Sequence, residues 1–284
     1  MQKKMTKRRK ALRRELKGLA FVAPAFIGLL VFTLYPMVNA VINSLYNYRK
    51  LFRNDEIYLI LSNTLRYVLY ILPFILVFGF LLGVLLQKKS KLNVVFRTLI
   101  YTPHVASMVG LSVVWLYIFN PQYGILNAAL SAVGLRPLRW INDTSTAHMS
   151  IVIVTIWRTL GYCVVVYLGA IQNISEEIIE AAHIDGANAW QTTWKITMPL
   201  VSPTTFMLLI LQTISIMKLF TTIENMTGGG PGNATANLPM MLYDYAFSRY
   251  QMGYASAIAM VLFALILLIN LIQMSLERFV SYDA

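Results

Sequence analysis

Long apolar runs dominate this sequence and restrict it to a membrane-embedded helical fold. The 284-residue chain is 57% hydrophobic and only 13% charged. Several of its stretches reach the roughly 18 apolar residues with which an α-helix crosses the hydrocarbon core of a bilayer. The sequence therefore predicts an all-α, polytopic membrane protein. We place six spans at residues 18–42, 64–86, 98–119, 148–171, 200–222 and 254–274.

Basic residues are concentrated at two points and predict the side that each loop faces. Nine of the 24 Lys and Arg residues lie within residues 1–17, and four more lie between residues 88 and 97. Such clusters mark the cytoplasmic ends of membrane helices. We therefore expect both termini in the cytoplasm, with a basic tail at 1–17 and a single transmembrane domain at 18–284. Nucleic-acid binding by the tail is the less favoured alternative.

The polar segment 175–199 lies between the fourth and fifth predicted spans. It holds four of the chain's twelve acidic residues. Ser175 is a favourable helix N-cap, and Gly186 is placed to end that helix in a left-handed cap. A second short helix is expected at about residues 188–195. The number of preceding spans places this segment on the same side as the N-terminus, in the cytoplasm.

Two roles are open for the 175–199 segment: docking to a cytoplasmic protein, or lying on the bilayer surface. A membrane-surface helix presents Lys and Arg to anionic lipid. This segment instead carries four acidic residues and one base, Lys195. Its small residues, among them Ala181 and Ala182, would let a partner approach closely. Charge and residue size therefore favour docking.

The spacing of residues in this segment resembles the EAA loop of ABC-importer membrane subunits. Glu180-Ala181-Ala182 is followed after three residues by Gly186, and after nine more by Ile196-Thr197-Met198-Pro199. The family pattern is E-A-A, three residues, G, nine residues, I-x-L-P. Met198 in place of Leu is the single departure, and it conserves side-chain volume. Further stretches are similar to maltose-permease-like carbohydrate permeases: Asn63-Thr64-Leu65, residues 227–231 and residues 253–257.

This resemblance implies the fold of a type I ABC importer permease in the cell membrane of a prokaryote. The implied partners are a homologous second permease, two cytoplasmic ATP-binding subunits, an extracytoplasmic solute-binding protein and membrane lipid. ATP and Mg²⁺ would bind the ATPases, so this chain would need no cofactor and would have no catalytic residue. The implied activity is alternating-access import of sugars or oligosaccharides. The implied coupling residues are Glu180, Ala181, Ala182, Asp185, Gly186 and Pro199.

A few polar residues within or beside the spans are expensive to expose to lipid. They are Arg158, Gln212, Lys218, Asn270 and, at the outer edge of the fifth span, Glu224. These side chains are expected to face the helix bundle or a water-filled path. They would either contact solute and gate its passage, or form hydrogen bonds between helices.

Other functions fit the sequence less well. An ion-coupled secondary transporter is the main rival, but it is expected to carry acidic residues within its spans, and the six predicted spans contain none.

The glycine-rich stretch 228–232 lacks the Lys-Ser/Thr of a phosphate-binding loop. It is either a flexible turn or an outer loop near the solute-binding protein. The three histidines show no metal-ligand spacing. Another solute, such as glycerol phosphate, also remains open.

Overall fold

The structure is a computed structural model that describes residues 18–88 and 90–280. Every regular element in these residues is helical, which confirms the all-α prediction; the basic tail at 1–17 lies outside the described residues. In chain order the helices are α1 (Gly18–Ser44), α2 (Tyr48–Leu51), α3 (Glu56–Leu86), α4 (Lys91–Val105), α5 (Met108–Ile118), α6 (Ile125–Ala132), α7 (Ala147–Gln172), α8 (Glu176–Ile184), α9 (Ala189–Leu200), α10 (Ser202–Met217), α11 (Thr221–Met226), α12 (Leu238–Tyr243) and α13 (Met252–Val280).

Among the described residues, four helices are each long and apolar enough to cross a membrane: α1, α3, α7 and α13. α3 begins at Glu56, eight residues before the predicted span, because Ile57 and Ile60 are buried against α12 and α13. These membrane-length apolar helices agree with the predicted membrane protein.

The predicted third span is bent, and a second bend lies where the predicted fifth span begins. α4 and α5 meet at 102°, and α9 and α10 meet at 64°. Proline commonly kinks a helix, but α4 continues through Pro103 and ends at Val105. The chain turns where Ala106 and Ser107 adopt extended backbone, with ψ of 151° and 125°. Backbone conformation at these two residues, rather than the proline, therefore produces the bend.

The centre of the fold is a close-packed block of α3, α4 and α7. A Cβ added at Gly83 in α3 would lie 3.2 Å from the Cβ of Tyr167 in α7. A Cβ added at Gly161 in α7 would lie 2.0 Å from the carbonyl oxygen of Ile100 in α4. The helices can approach this closely only because glycine has no side chain. Such close packing leaves the three helices little freedom to move against one another.

A second hydrophobic cluster joins the start of α3 to α12 and α13. Its buried members include Ile57, Leu238, Tyr254 and Ile258. α1 packs along α13, but none of the residues in its most apolar stretch is buried within this chain. The apolar surface of α1 is therefore available to lipid or to another membrane subunit.

Candidate functional site

The first helix of the 175–199 segment begins as its sequence predicts. The Ser175 hydroxyl accepts a hydrogen bond from the backbone N–H of Glu177 at 3.3 Å. Glu176 and Glu177 occupy the first turn of α8, where the helix dipole stabilises negative charge. Both ends of this short helix are thus specified locally, since its C-terminus is also capped.

Gly186 ends α8 in a left-handed conformation, with φ of +82°. The N–H of Gly186 donates to the carbonyl of His183 at 3.1 Å, and the N–H of Ala187 donates to the carbonyl of Ala182 at 2.9 Å. This pair of bonds is the Schellman motif, which satisfies the last carbonyls of a helix. The turn between α8 and α9 is therefore a defined structure, not a loose loop.

α9 begins with a second built-in cap. Asn188 and Gln191 form a reciprocal capping box, in which both side chain–backbone hydrogen bonds are 2.9 Å. The helix extends past the predicted end near residue 195 to Leu200, through a π-helical turn at Thr193–Thr197. Pro199 lies in the last turn of α9, directly before the 64° bend into α10.

The outward surface of the segment mixes acidic and apolar side chains. Of the residues with an implied coupling role, Glu180, Ala181, Asp185 and Gly186 are exposed, Pro199 is half-buried and Ala182 is buried. Ile184 and Trp190 are also exposed, at 86% and 70% of their surfaces. Large exposed apolar side chains beside polar ones are typical of a protein-binding surface. The exposure of these two was not predicted from the sequence, although Ile184 and Trp190 stand out as large apolar residues in a mainly polar segment.

The polar residues singled out in the spans are not all buried. Gln212 is buried, and Arg158 and Asn270 are half-buried. Lys218 and Glu224 are exposed in this chain, because Lys218 follows the last turn of α10 and Glu224 lies in the short helix α11. A positive charge at the end of α10 also complements the helix dipole. Of the five, only Gln212 is therefore fully buried within this chain, as its place in a span predicts.

A polar contact between α10 and α13 was not predicted. The Gln273 amide nitrogen donates to the Thr213 hydroxyl at 2.9 Å, and Gln273 is 8% exposed. Asn270 lies one turn earlier on α13. Among the described residues, the side-chain oxygens of Asn270 and Gln273 have no hydrogen-bond donor. These two acceptors could bind hydroxyl groups of a solute or donors on a neighbouring subunit.

The glycine-rich loop that follows α11 is anchored to α3. The buried Asn63 amide donates to the carbonyls of Asn233 and Ala236, at 2.9 and 3.0 Å. The Tyr67 hydroxyl donates to the carbonyl of Thr235 at 2.9 Å. The Thr64 hydroxyl accepts the N–H of Leu238 at 3.1 Å. These long-range bonds argue against the flexible-turn alternative for this loop.

A polar cavity of about 310 Å³ lies beside the anchored loop. Its charged residues come from three distant parts of the chain: Glu56, Glu224, Asp244 and Arg249. Arg249 forms an ion pair of 2.7 Å with Asp244 and lies over the Tyr245 ring at 4.3 Å. Burial raises the pKa of the Tyr245 hydroxyl. The hydroxyl therefore keeps its proton, and it can both donate and accept a hydrogen bond. The separation of these residues in sequence explains why the cavity was not predicted.

Comparison with known proteins identifies the class of this chain. Residues 75–282 match the family described as the binding-protein-dependent transport system inner membrane component. The chain belongs to this family. The match contains the whole 175–199 segment and every helix from α4 onward, so the resemblance read from the EAA-like spacing is confirmed.

Individual relatives are similar over nearly their whole length. The probable ABC transporter permease protein YurN of Bacillus subtilis is 34% identical over 273 residues, 89% of this chain and 93% of that protein. The lactose transport system permease protein LacF of Rhizobium radiobacter is 30% identical, over 96% and 98% of the two chains. A solved bacterial alginate ABC transporter, in complex with an alginate-bound periplasmic protein, contains a similar fold. Its TM-score is 0.87 at 23% identity, over 96% of this chain and 97% of that chain.

Proposed function

We propose that this chain is a permease subunit of an ATP-driven, binding-protein-dependent importer of sugars or oligosaccharides in the plasma membrane of a prokaryote. Membership of the transport-system family supports the class, and the names of relatives such as LacF support the solute. The observation that carries the proposal is the 175–199 segment. Its two helices are capped at both sides of a fixed turn, and they expose acidic and apolar side chains to a partner.

The proposed topology has six spans, counting α4–α5 and α9–α10 as one bent span each. The anchored loop contacts α3 at Asn63, whereas Trp194 of the 175–199 segment contacts it at Phe80. These two positions are separated by roughly 26 Å along an α-helix, close to the thickness of a bilayer core. Lys88 follows the Phe80 end of α3, so the positive-inside rule assigns that end, the segment and both termini to the cytoplasm.

The proposed partners follow from the exposed surfaces. Two ATP-binding subunits would supply ATP and Mg²⁺, one of them docking on Glu180, Ala181 and Gly186. A homologous permease and lipid would cover α1, whose apolar surface is open in this chain. A solute-binding protein would deliver solute at the outer end, beside the anchored loop and the polar cavity.

The proposed mechanism is alternating access. Closure of the ATPase dimer would displace the docked 175–199 segment, and the segment would shift the spans between inward-open and outward-open arrangements. A coupling mechanism needs an element that moves as a unit. The capping box and the Schellman motif give the segment that rigidity. We assign the solute path, more broadly, to Arg158, Gln212, Lys218, Glu224 and Asn270, with Gln273 added from the structure.

Reconstitution tests this function. The chain is placed in proteoliposomes with and without its second permease, the ATPases and the binding protein. Uptake of radiolabelled lactose, maltose and glycerol 3-phosphate is then followed. We expect uptake of a neutral sugar that requires ATP, the ATPases and the binding protein together. Uptake by this chain alone, driven by an ion gradient, would show a secondary transporter instead.

A further inference from the structure

A chain of aromatic rings connects the 175–199 segment to the centre of the fold. The ring centroids of Trp190 and Trp194 are 5.3 Å apart, those of Trp194 and Phe80 are 5.9 Å apart, and those of Phe80 and Tyr167 are 5.7 Å apart. All three separations lie within the range of attractive aromatic pairs, about 4.5–7 Å. The rings therefore form a continuous contact from α9 through α3 to α7.

Burial increases steadily along this chain of rings. Trp190 is 70% exposed and Trp194 is half-buried, whereas Phe80 and Tyr167 are 4% and 1% exposed. Trp194 is therefore the residue at which the surface of the segment meets the interior. Its indole nitrogen is buried without a hydrogen-bond partner among the described residues. Trp194 therefore contacts Phe80 through packing of the two rings.

The inner end of this chain of rings is closely packed between α3 and α7. Tyr167 packs against Gly83, where an added Cβ would approach its own Cβ to 3.2 Å. α3 and α7 are thus interlocked at this point, and close-packed interiors transmit displacement instead of absorbing it. A push on Phe80 therefore acts on α3 and α7 together.

The backbone connections of the 175–199 segment transmit its displacement to the spans less well than the aromatic contacts do. α7 ends at Gln172 and α8 begins at Glu176, with a turn between them. At the other end, α9 meets α10 at a 64° bend around Val201. Turns and bends of this kind absorb rotation between rigid elements. Rotation of the segment would be dissipated there unless a side-chain contact joined it to the spans.

We infer that Trp194 is a positioning residue for transport, which passes displacement of the 175–199 segment to α3 and α7 through Phe80 and Tyr167. The inference rests on the proposed function, since the displacement originates in the ATPases. Trp194 need not touch solute or nucleotide. Its loss should separate ATP hydrolysis from solute movement, because the segment would still dock through Glu180, Ile184 and Trp190.

The test compares Trp194→Ala and Trp194→Phe in the complete transporter, reconstituted in proteoliposomes. Uptake of the sugar that the unaltered transporter imports and ATP hydrolysis are measured in the same vesicles. We expect Trp194→Ala to lower the number of sugars imported per ATP by about tenfold, within the usual range of coupling energies. Trp194→Phe retains a ring and should restore most of this ratio. Trp157→Ala is the matched control, since Trp157 pairs with Trp115 away from the segment.

A second variant keeps the inference testable if Trp194→Ala does not assemble. Phe80→Leu removes the next ring and should lower the same ratio. An unchanged ratio in Trp194→Ala or Phe80→Leu, or equal losses of uptake and hydrolysis, would overturn the inference. Absence of ATP-driven uptake by the unaltered transporter would instead contradict the proposed function.

Discussion

Single glycines determine how closely the helices of this chain approach. Gly161 and Gly169 lie on the same helix, α7, but in different surroundings. A Cβ at Gly161 would meet the Ile100 carbonyl oxygen at 2.0 Å, whereas a Cβ at Gly169 would meet nothing within 4 Å. The same substitution at these two positions therefore isolates the effect of helix packing from that of helix propensity.

We predict that Gly161→Ala destabilises the protein strongly and Gly169→Ala does not. Overpacking typically costs about 1–3 kcal/mol, and at Gly161 the obstructing atom is backbone, which cannot rotate away. Gly169→Ala should be neutral or slightly stabilising, because Ala favours a helix more than Gly does. Thermal unfolding of the purified variants in detergent measures both. Equal midpoints would contradict the close contact between α4 and α7.

Gly186 acts through its backbone angle alone. Its φ is +82°, and space around its missing Cβ is open. We predict that Gly186→Ala weakens ATPase binding, because a left-handed L-residue costs about 1–2 kcal/mol. Gly186→Asn should bind nearly normally, since Asn tolerates this conformation better. Co-purification with the ATPases measures the difference. Equal binding by the Ala variant and the unaltered chain would show that the turn shape does not matter.

At the scale of elements, the anchored loop depends on few side chains of α3. We predict that Asn63→Ala removes the bonds to the carbonyls of Asn233 and Ala236. The Asn233 carbonyl keeps the N–H of Ala236 at 3.2 Å, so the main cost, about 1–3 kcal/mol, arises at the buried Ala236 carbonyl. Tyr67→Phe removes the single bond to Thr235 and should have a smaller effect. The protection of the backbone amides of residues 227–238 against hydrogen exchange measures the stability of the loop. Equal protection in Asn63→Ala and the unaltered chain would show that α3 does not anchor the loop.

The sequence alone predicted elements whose signals are local. Apolar length identified the membrane helices, and the caps at Ser175 and Gly186 identified α8. The 102° and 64° angles after Val105 and Leu200 were not predicted, because composition does not reveal the angle between consecutive helices. The polar cavity and the Trp194 contacts were missed because they join residues that only the tertiary fold brings together.

Across the whole fold, the proposed topology places the two ends of α7 on opposite sides of the membrane. Thr144 precedes this helix and Glu177 follows it. We predict that a cysteine at Glu177 reacts with an impermeant maleimide only from the cytoplasm, and a cysteine at Thr144 only from outside. Both positions are exposed. The native Cys163 is buried and should stay unreactive, so it provides the internal control. Labelling of both positions from the same side would overturn the topology.

We propose that the 175–199 segment couples ATP hydrolysis to import. Glu180 is exposed on α8, so Glu180→Lys should leave folding and membrane insertion unchanged. The most direct measurement is the number of sugars imported per ATP hydrolysed by the reconstituted transporter carrying this variant. We predict a ratio at least about tenfold lower than that of the unaltered transporter. A normal ratio together with normal uptake would show that Glu180 of the 175–199 segment does not couple ATP hydrolysis to import.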